Sequence, residues 1–260
     1  MNVTVVFIQG EWLSADAWNN FRRRYSACGY TCIAPPWPMR DDNPRQLRRD
    51  PSAGLPQLGI AEIVEHYAQL IRRLPRPPLL IGHSLGGLIV QLLLDRGLGC
   101  AGIALAAVPP GRLLPHLGVL YDAVPLRLAW GSWKRVLHLH RDDFASGAGR
   151  TLSRSDADDL YEQQVVPAPG RVFFEAALGI GTHINFGNDC RAPLLLVSAA
   201  NDRSVPPRQV AATYRRYRRS IAITSVKCFA GHSHWLINEP GWEVIADYTI
   251  EWAHKHLGRY

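Results

Sequence analysis

Short, unbroken apolar runs alternate along this chain with longer amphipathic ones. Val3-Thr4-Val5-Val6-Phe7-Ile8 is apolar and β-branched at nearly every position, the pattern of a strand buried on both faces. The next stretch, Ser14 to Tyr25, reads as a helix with Trp18 and Phe21 on one face. Tyr30 to Ala34 reads as a second strand, stopped by Pro35-Pro36. Residues 37–59 are rich in proline, arginine and aspartate and read as an irregular surface excursion. Ile63, Val64, Tyr67, Leu70 and Ile71 then recur at helical spacing over residues 60–74. Leu79-Leu80-Ile81 and Ala101 to Val108 are two more buried strands, separated by a helix from Leu88 to Arg96. Strands over 193–199 and 221–229 and helices over 207–217 and 242–256 complete the series, with no internal repeat. Strand alternating with helix predicts an α/β fold with a mostly parallel central sheet flanked by helices on both faces.

Residues 112–189 break the rhythm. They read as helical without an obvious intervening strand, and Ser153-Arg154-Ser155-Asp156 has the form of a helix start. Leu113, Leu114, Leu117, Leu120, Leu126, Leu128, Trp130 and Trp133 are more apolar surface than a linker needs. The expected division is a core of residues 1–111 and 190–260, with 112–189 inserted as a helical cap over the carboxyl ends of the strands. Trp130 and Trp133 are then candidates to contact a substrate, with packing of the cap against itself as the competing explanation.

The candidate chemistry begins at Gly82-His83-Ser84-Leu85-Gly86-Gly87, directly after an apolar strand and directly before a helix. A serine on so sharp a strand-to-helix turn needs small neighbours, and Gly82 and Gly86 supply them. The turn exposes the hydroxyl at the top of the sheet, above N–H groups at the start of the helix. A serine hydroxyl is a weak nucleophile in neutral water and requires a base, held in turn by a carboxylate. Asp202 follows a strongly apolar strand, at the sheet end where loops carry function. Capping the next helix is its alternative role. Gly231-His232-Ser233-His234 offers two histidines after the last strand, and either one completes the chain order serine, acid, histidine. His83 points away from the turn and reads as structural, while His138 and His183 fall in the insertion.

Over nearly its whole length the chain resembles the α/β-hydrolase-fold serine hydrolases. The resemblance rests on Phe7-Ile8-Gln9-Gly10, Gly82 to Gly87, Ala192 to Val197 with Asn201-Asp202, and His234 to Glu243. It implies Ser84 as nucleophile, His234 as general base and Asp202 as the carboxylate that orients it. In relatives of this kind the catalytic histidine stands five residues before a Glu-Pro or similar acidic step, and that resemblance selects His234, five residues before Glu239-Pro240, over His232. The oxyanion hole is expected to use the backbone N–H of Leu85 and, by resemblance, that of Glu11. Here the chain departs from the common pattern. Gln9 stands where a histidine is usual, and Glu11 brings a carboxylate close to the hole. Its side chain is expected to turn away, to contact substrate, or to act as a further acid or base. Trp12 is expected to line the pocket or to serve packing alone.

Composition adds limits. With 47% hydrophobic and 20% charged residues the chain is of ordinary globular type. The net charge of +7 comes mostly from arginine, clustered at 22–24, 48–49 and 215–219. These clusters read as solvated faces, and no nucleic-acid-binding motif accompanies them. Five scattered cysteines and no paired metal-ligand spacing argue for small apolar residues in a reducing compartment, with no metal. The chain opens on a strand and holds no uninterrupted apolar span, so a cytoplasmic protein without a membrane span is expected. The leading expectation is hydrolysis of a carboxylic ester or thioester of a small to medium hydrophobic molecule, through an acyl-enzyme and without a cofactor. A lyase, cyclase or acyltransferase acting on a specialised metabolite is the alternative that Glu11 favours. A small-molecule receptor is the third.

Overall fold

The computed structural model describes residues 3–41, 43–111, 131–147 and 151–257. Its strands are β1 (Thr4–Ile8), β2 (Thr31–Ile33), β3 (Leu79–His83), β4 (Ala101–Leu105), β5 (Val136–Leu137), β6 (Ala168–Pro169), β7 (Leu194–Ala199) and β8 (Thr224–Phe229). The α-helices are α1 (Asn19–Ala27), α2 (Pro44–Arg49), α3 (Ile60–Arg72), α4 (Leu85–Asp95), α5 (Arg141–Ser146), α6 (Arg154–Gln164), α7 (Gly170–Leu178), α8 (Pro207–Tyr217) and α9 (Trp242–Leu257). Six strands form one sheet in the order β2-β1-β3-β4-β7-β8, with every pairing parallel. The expected α/β architecture is the one observed.

Alternate residues on each strand feed two cores. Val5, Phe7, Leu79, Ile81, Ile103, Leu105, Leu195 and Val197 pack with Phe21 and Tyr25 of α1 and Ile245 and Trp252 of α9. Val6, Ile8, Leu80, Ala104, Leu194 and Leu196 pack with Ile63 and Tyr67 of α3, Leu88 and Leu93 of α4, and Val210 and Tyr217 of α8. Burial on both faces is why these strands read as continuous apolar runs rather than as alternating ones.

Several expectations need correcting. Residues 37–59 are not a surface excursion. They contain α2, whose first turn is capped when Asn43 Oδ1 accepts from the Gln46 N–H at 2.9 Å. Trp37, Leu47, Leu55 and Leu58 are buried. These anchors follow no helical or strand period, so the polar residues between them dominated the pattern. The strand expected over 101–108 ends at Leu105, because Ala106 turns the backbone to φ 44°.

The insertion holds a two-residue antiparallel ladder, β5 with β6, too short for any sequence period to register. Its helix α6 does start where the pattern placed it, with Ser153 Oγ accepting from the Asp156 N–H at 3.1 Å. Arg48, expected on a solvated face, instead joins α2 to α6. It donates to the carbonyls of Tyr161 and Val165 and, at 2.5 Å, to the Glu162 carboxylate. All five cysteines are free, and Cys28, Cys190 and Cys228 are exposed rather than buried as small apolar residues. No described helix is long and apolar enough to cross a membrane.

Candidate active site

The turn from β3 into α4 closes only because two side chains are missing. A Cβ at Gly82 would lie 2.2 Å from the Gly86 carbonyl oxygen, and one at Gly86 would lie 2.1 Å from that of Ile8. Between them Ser84 is held at φ 55°, ψ −120°, a region that L-residues avoid. Backbone hydrogen bonds hold it there. The Ser84 N–H donates to the Leu105 carbonyl at 3.0 Å, and its own carbonyl accepts from Gly87 at 3.0 Å and Val108 at 3.1 Å. The hydroxyl therefore projects from a rigid turn at the carboxyl end of a central strand.

Two loops bring its partners. Asp202 follows β7 and has a fully buried carboxylate. Its Oδ1 accepts from the Val205 N–H at 2.8 Å, which leaves Oδ2 to accept from His234 Nδ1–H at 2.8 Å. The other ring nitrogen, His234 Nε2, accepts from Ser84 Oγ–H at 3.1 Å. Because Nδ1 faces a carboxylate, the proton of neutral His234 is fixed there and Nε2 presents its lone pair to the serine. Ser84, His234 and Asp202, distant in sequence, thus form one hydrogen-bonded chain. The two loops are laced together by the Asn201 N–H donating to the His232 carbonyl at 2.8 Å and the Ala200 N–H donating to that of Phe229 at 2.9 Å.

His232, the other histidine of the pair, turns away from the serine. Its Nδ1–H donates at 3.0 Å to Glu239, a carboxylate only 2% exposed. Glu239 also accepts from the Ser233 N–H at 2.7 Å, from Ser233 Oγ at 2.6 Å and from Thr151 Oγ1 at 2.6 Å. Four donors on one buried carboxylate fix the residues just before His234 and tie them to the insertion. In the sequence Glu239 served only as a spacing marker. A carboxylate held by backbone and hydroxyl donors leaves no pattern in the chain.

Contrary to the expectation from the turn, His83 does not point away from the site. It lines the cleft, its ring lies 4.8 Å from that of His234, and its Nε2–H donates to the His234 backbone carbonyl at 2.8 Å. Burial, with His234 beside it, pushes its pKa down to about 3, so the ring is neutral.

Glu11 is the unusual member. Its Oε2 lies 3.4 Å from Ser84 Oγ, so the side chain turns toward the nucleophile instead of away from it. Arg40, 4% exposed, sits behind the same loop and donates to the backbone carbonyls of Glu11 and Pro167. Burial lowers its pKa to about 9, opposed by the charge of Glu11, so it remains a cation in neutral water. A buried cation inside residues that read as surface loop had no signal in the sequence.

Trp12 lines the cleft at Ser84 together with Leu13, Leu139, Phe144, Val165 and Trp235, an otherwise apolar wall. Trp133 is not among the described lining residues; its ring packs against Phe174 at 5.1 Å. Trp130 lies outside the described residues. A larger groove of ≈ 670 Å³, lined by Asn19, Arg23, Gln163 and Asn238, runs between α1 and α6. It contains none of the hydrogen-bonded chain and has a polar wall, so the smaller cleft over Ser84 is the better candidate. Among the described residues no group of three or more His, Cys, Asp or Glu is placed to hold a metal ion.

A family model described as the alpha/beta hydrolase family matches residues 5–247. The chain belongs to the alpha/beta hydrolase family. No curated protein sequence matches it. Among solved structures, it superposes on a methylesterase from Arabidopsis with a TM-score of 0.71 at 15% identity, covering 97% of this chain and 99% of that one. A monoacylglycerol lipase from Paleococcus ferrophilus gives 0.66 at 19% identity, covering 97% and 94%. A tomato methylketone synthase gives 0.71 at 14% identity, covering 98% of each. Identities this low establish the shared fold of this hydrolase family member and leave its substrate open.

Proposed function

We propose that the protein is a serine hydrolase that cleaves a carboxylic ester or thioester of a small to medium hydrophobic molecule through an acyl-enzyme. The observation that carries this reading is the chain from Ser84 Oγ to His234 Nε2 at 3.1 Å and from His234 Nδ1 to Asp202 at 2.8 Å, built on the glycine-flanked turn. Ser84 Oγ attacks the carbonyl carbon while its proton passes to His234 Nε2. The tetrahedral oxyanion is held by the backbone N–H groups of Leu85 and Glu11. Collapse breaks the bond to the leaving oxygen or sulfur, which takes the proton from His234. Water then adds to the acyl group, gives a proton to His234, and releases the acid as Ser84 recovers that proton. Asp202 holds the tautomer and balances the imidazolium. Residues 112–189 act as the cap, and Trp12 contacts the bound molecule. The methylesterase and the monoacylglycerol lipase that share this fold accord with this reading.

The test is direct. A fluorophosphonate is expected to label Ser84, and p-nitrophenyl butyrate turnover is expected to fall on the order of a thousandfold or more in Ser84→Ala. Turnover that survives the substitution overturns the reading.

The Glu11 carboxylate 3.4 Å from Ser84 Oγ favours a second reading, in which the site runs a lyase, cyclase or acyltransferase reaction. That reading gains if Ser84 is labelled while simple esters are not hydrolysed.

A further inference from the structure

The carboxylate of Glu11 creates an electrostatic problem whose solution specifies the substrate. Resting on the reading of the site as an ester or thioester hydrolase, a carbonyl under attack sits about 3 Å from Ser84 Oγ. Its developing oxyanion then lies within a few ångströms of Glu11 Oε2, itself 3.4 Å from that oxygen. Like charges 4–5 Å apart at an effective dielectric near 20 oppose each other enough to slow oxyanion formation by roughly 300- to 1000-fold.

Among the described residues that line the cleft there is no lysine or arginine to cancel this charge. Among the described residues no cation pairs with the Glu11 carboxylate, whose only side-chain partner is the serine hydroxyl. Arg40 stands behind the loop, where its charge is felt by Glu11, but its hydrogen bonds go to the backbone carbonyls of Glu11 and Pro167 and not to the carboxylate. Apart from His83, Ser84 and His234, the rest of the described wall is apolar, and Trp12, Phe144 and Trp235 offer aromatic rings. One carboxylate among aromatic rings is the chemistry that receives an alkylated ammonium group.

We propose that Glu11 is a specificity-determining residue that pairs with a cationic group on the acyl part of the substrate, an ammonium one or two bonds from the scissile carbonyl. Such a group satisfies the carboxylate and screens the oxyanion in the same pose. A neutral acyl group of equal shape leaves the repulsion to be offset by the His234 imidazolium alone.

The test uses two ketones of nearly the same shape, trimethylammonioacetone and 4,4-dimethylpentan-2-one, which differ by nitrogen in place of carbon and carry no leaving group. Dissociation constants are measured by calorimetry on the full chain, on Ser84→Ala and on Glu11→Gln. The cationic ketone is expected to bind at least tenfold more tightly than the neutral one to the unmodified protein and to Ser84→Ala. In Glu11→Gln the preference is expected to fall to less than twofold. Equal binding of the two ketones by the unmodified protein overturns the proposal and needs no variant. A preference that persists in Glu11→Gln overturns it as well. Failure of the hydrolase reading shows separately, as absent fluorophosphonate labelling of Ser84, because ketone binding requires no turnover.

Discussion

A serine hydroxyl has one proton to give, and in this site it has two acceptors, His234 Nε2 at 3.1 Å and Glu11 Oε2 at 3.4 Å. Its direction therefore depends on how firmly the imidazole is held. Three constraints act on His234: the Asp202 carboxylate on its ring, His83 on its carbonyl, and Glu239 on the two residues before it. The Glu239 grip is the most exacting, since every group around this carboxylate can donate to it. In Glu239→Gln one acceptor becomes an NH₂ group facing donors. We expect kcat on p-nitrophenyl butyrate to fall about 10- to 100-fold with KM changed less than threefold. A change confined to KM would mean that Glu239 shapes the cleft rather than the histidine.

At the scale of elements, the strand–turn–helix unit of β3 and α4 is set by backbone contact. A Cβ at Gly86 would overlap the Ile8 carbonyl of the neighbouring strand, so the helix start and the carboxyl end of β1 compete for one space. Gly86→Ala has no flexible neighbour to displace, because the obstacle is main chain. We expect a loss of about 2–4 kcal/mol in urea unfolding, or failure to fold, through overpacking. Stability within about 0.5 kcal/mol of the parent would mean that the turn can open without cost. The same unit was the most legible part of the chain, since its glycines and apolar strand carry its geometry locally. Residues 37–59 were the least legible. Arg40 and Trp37 earn their burial from partners on other elements, Pro167 and the α3–α4 core, which no local window contains.

For the molecule as a whole, the buried imidazole of His83 links stability to pH. Its folded pKa of about 3 lies below the unfolded value near 6.5, so below pH 6.5 the unfolded chain binds a proton that the folded one refuses. The unfolded state is then favoured as pH falls from about 6.5 toward 3, and this contribution is fully retained above 6.5. Its slope cannot exceed about 1.4 kcal/mol per pH unit for one proton. His83→Gln removes the linked proton. We expect the stability difference between parent and variant to shift against the parent as pH is lowered from 7 to 4, in denaturant titrations. Parallel curves across that range would place the imidazole outside the linkage.

The α/β sheet, the position of Ser84 and the acid following β7 were determined by sequence alone, because parallel strands buried on both faces and a glycine-flanked turn leave local marks. Tertiary structure decided which loops meet. It aimed Glu11 inward, buried Arg40 behind it and hung four donors on Glu239. Those choices depend on distances between side chains far apart in the chain, and periodicity carries no information about distances across a fold.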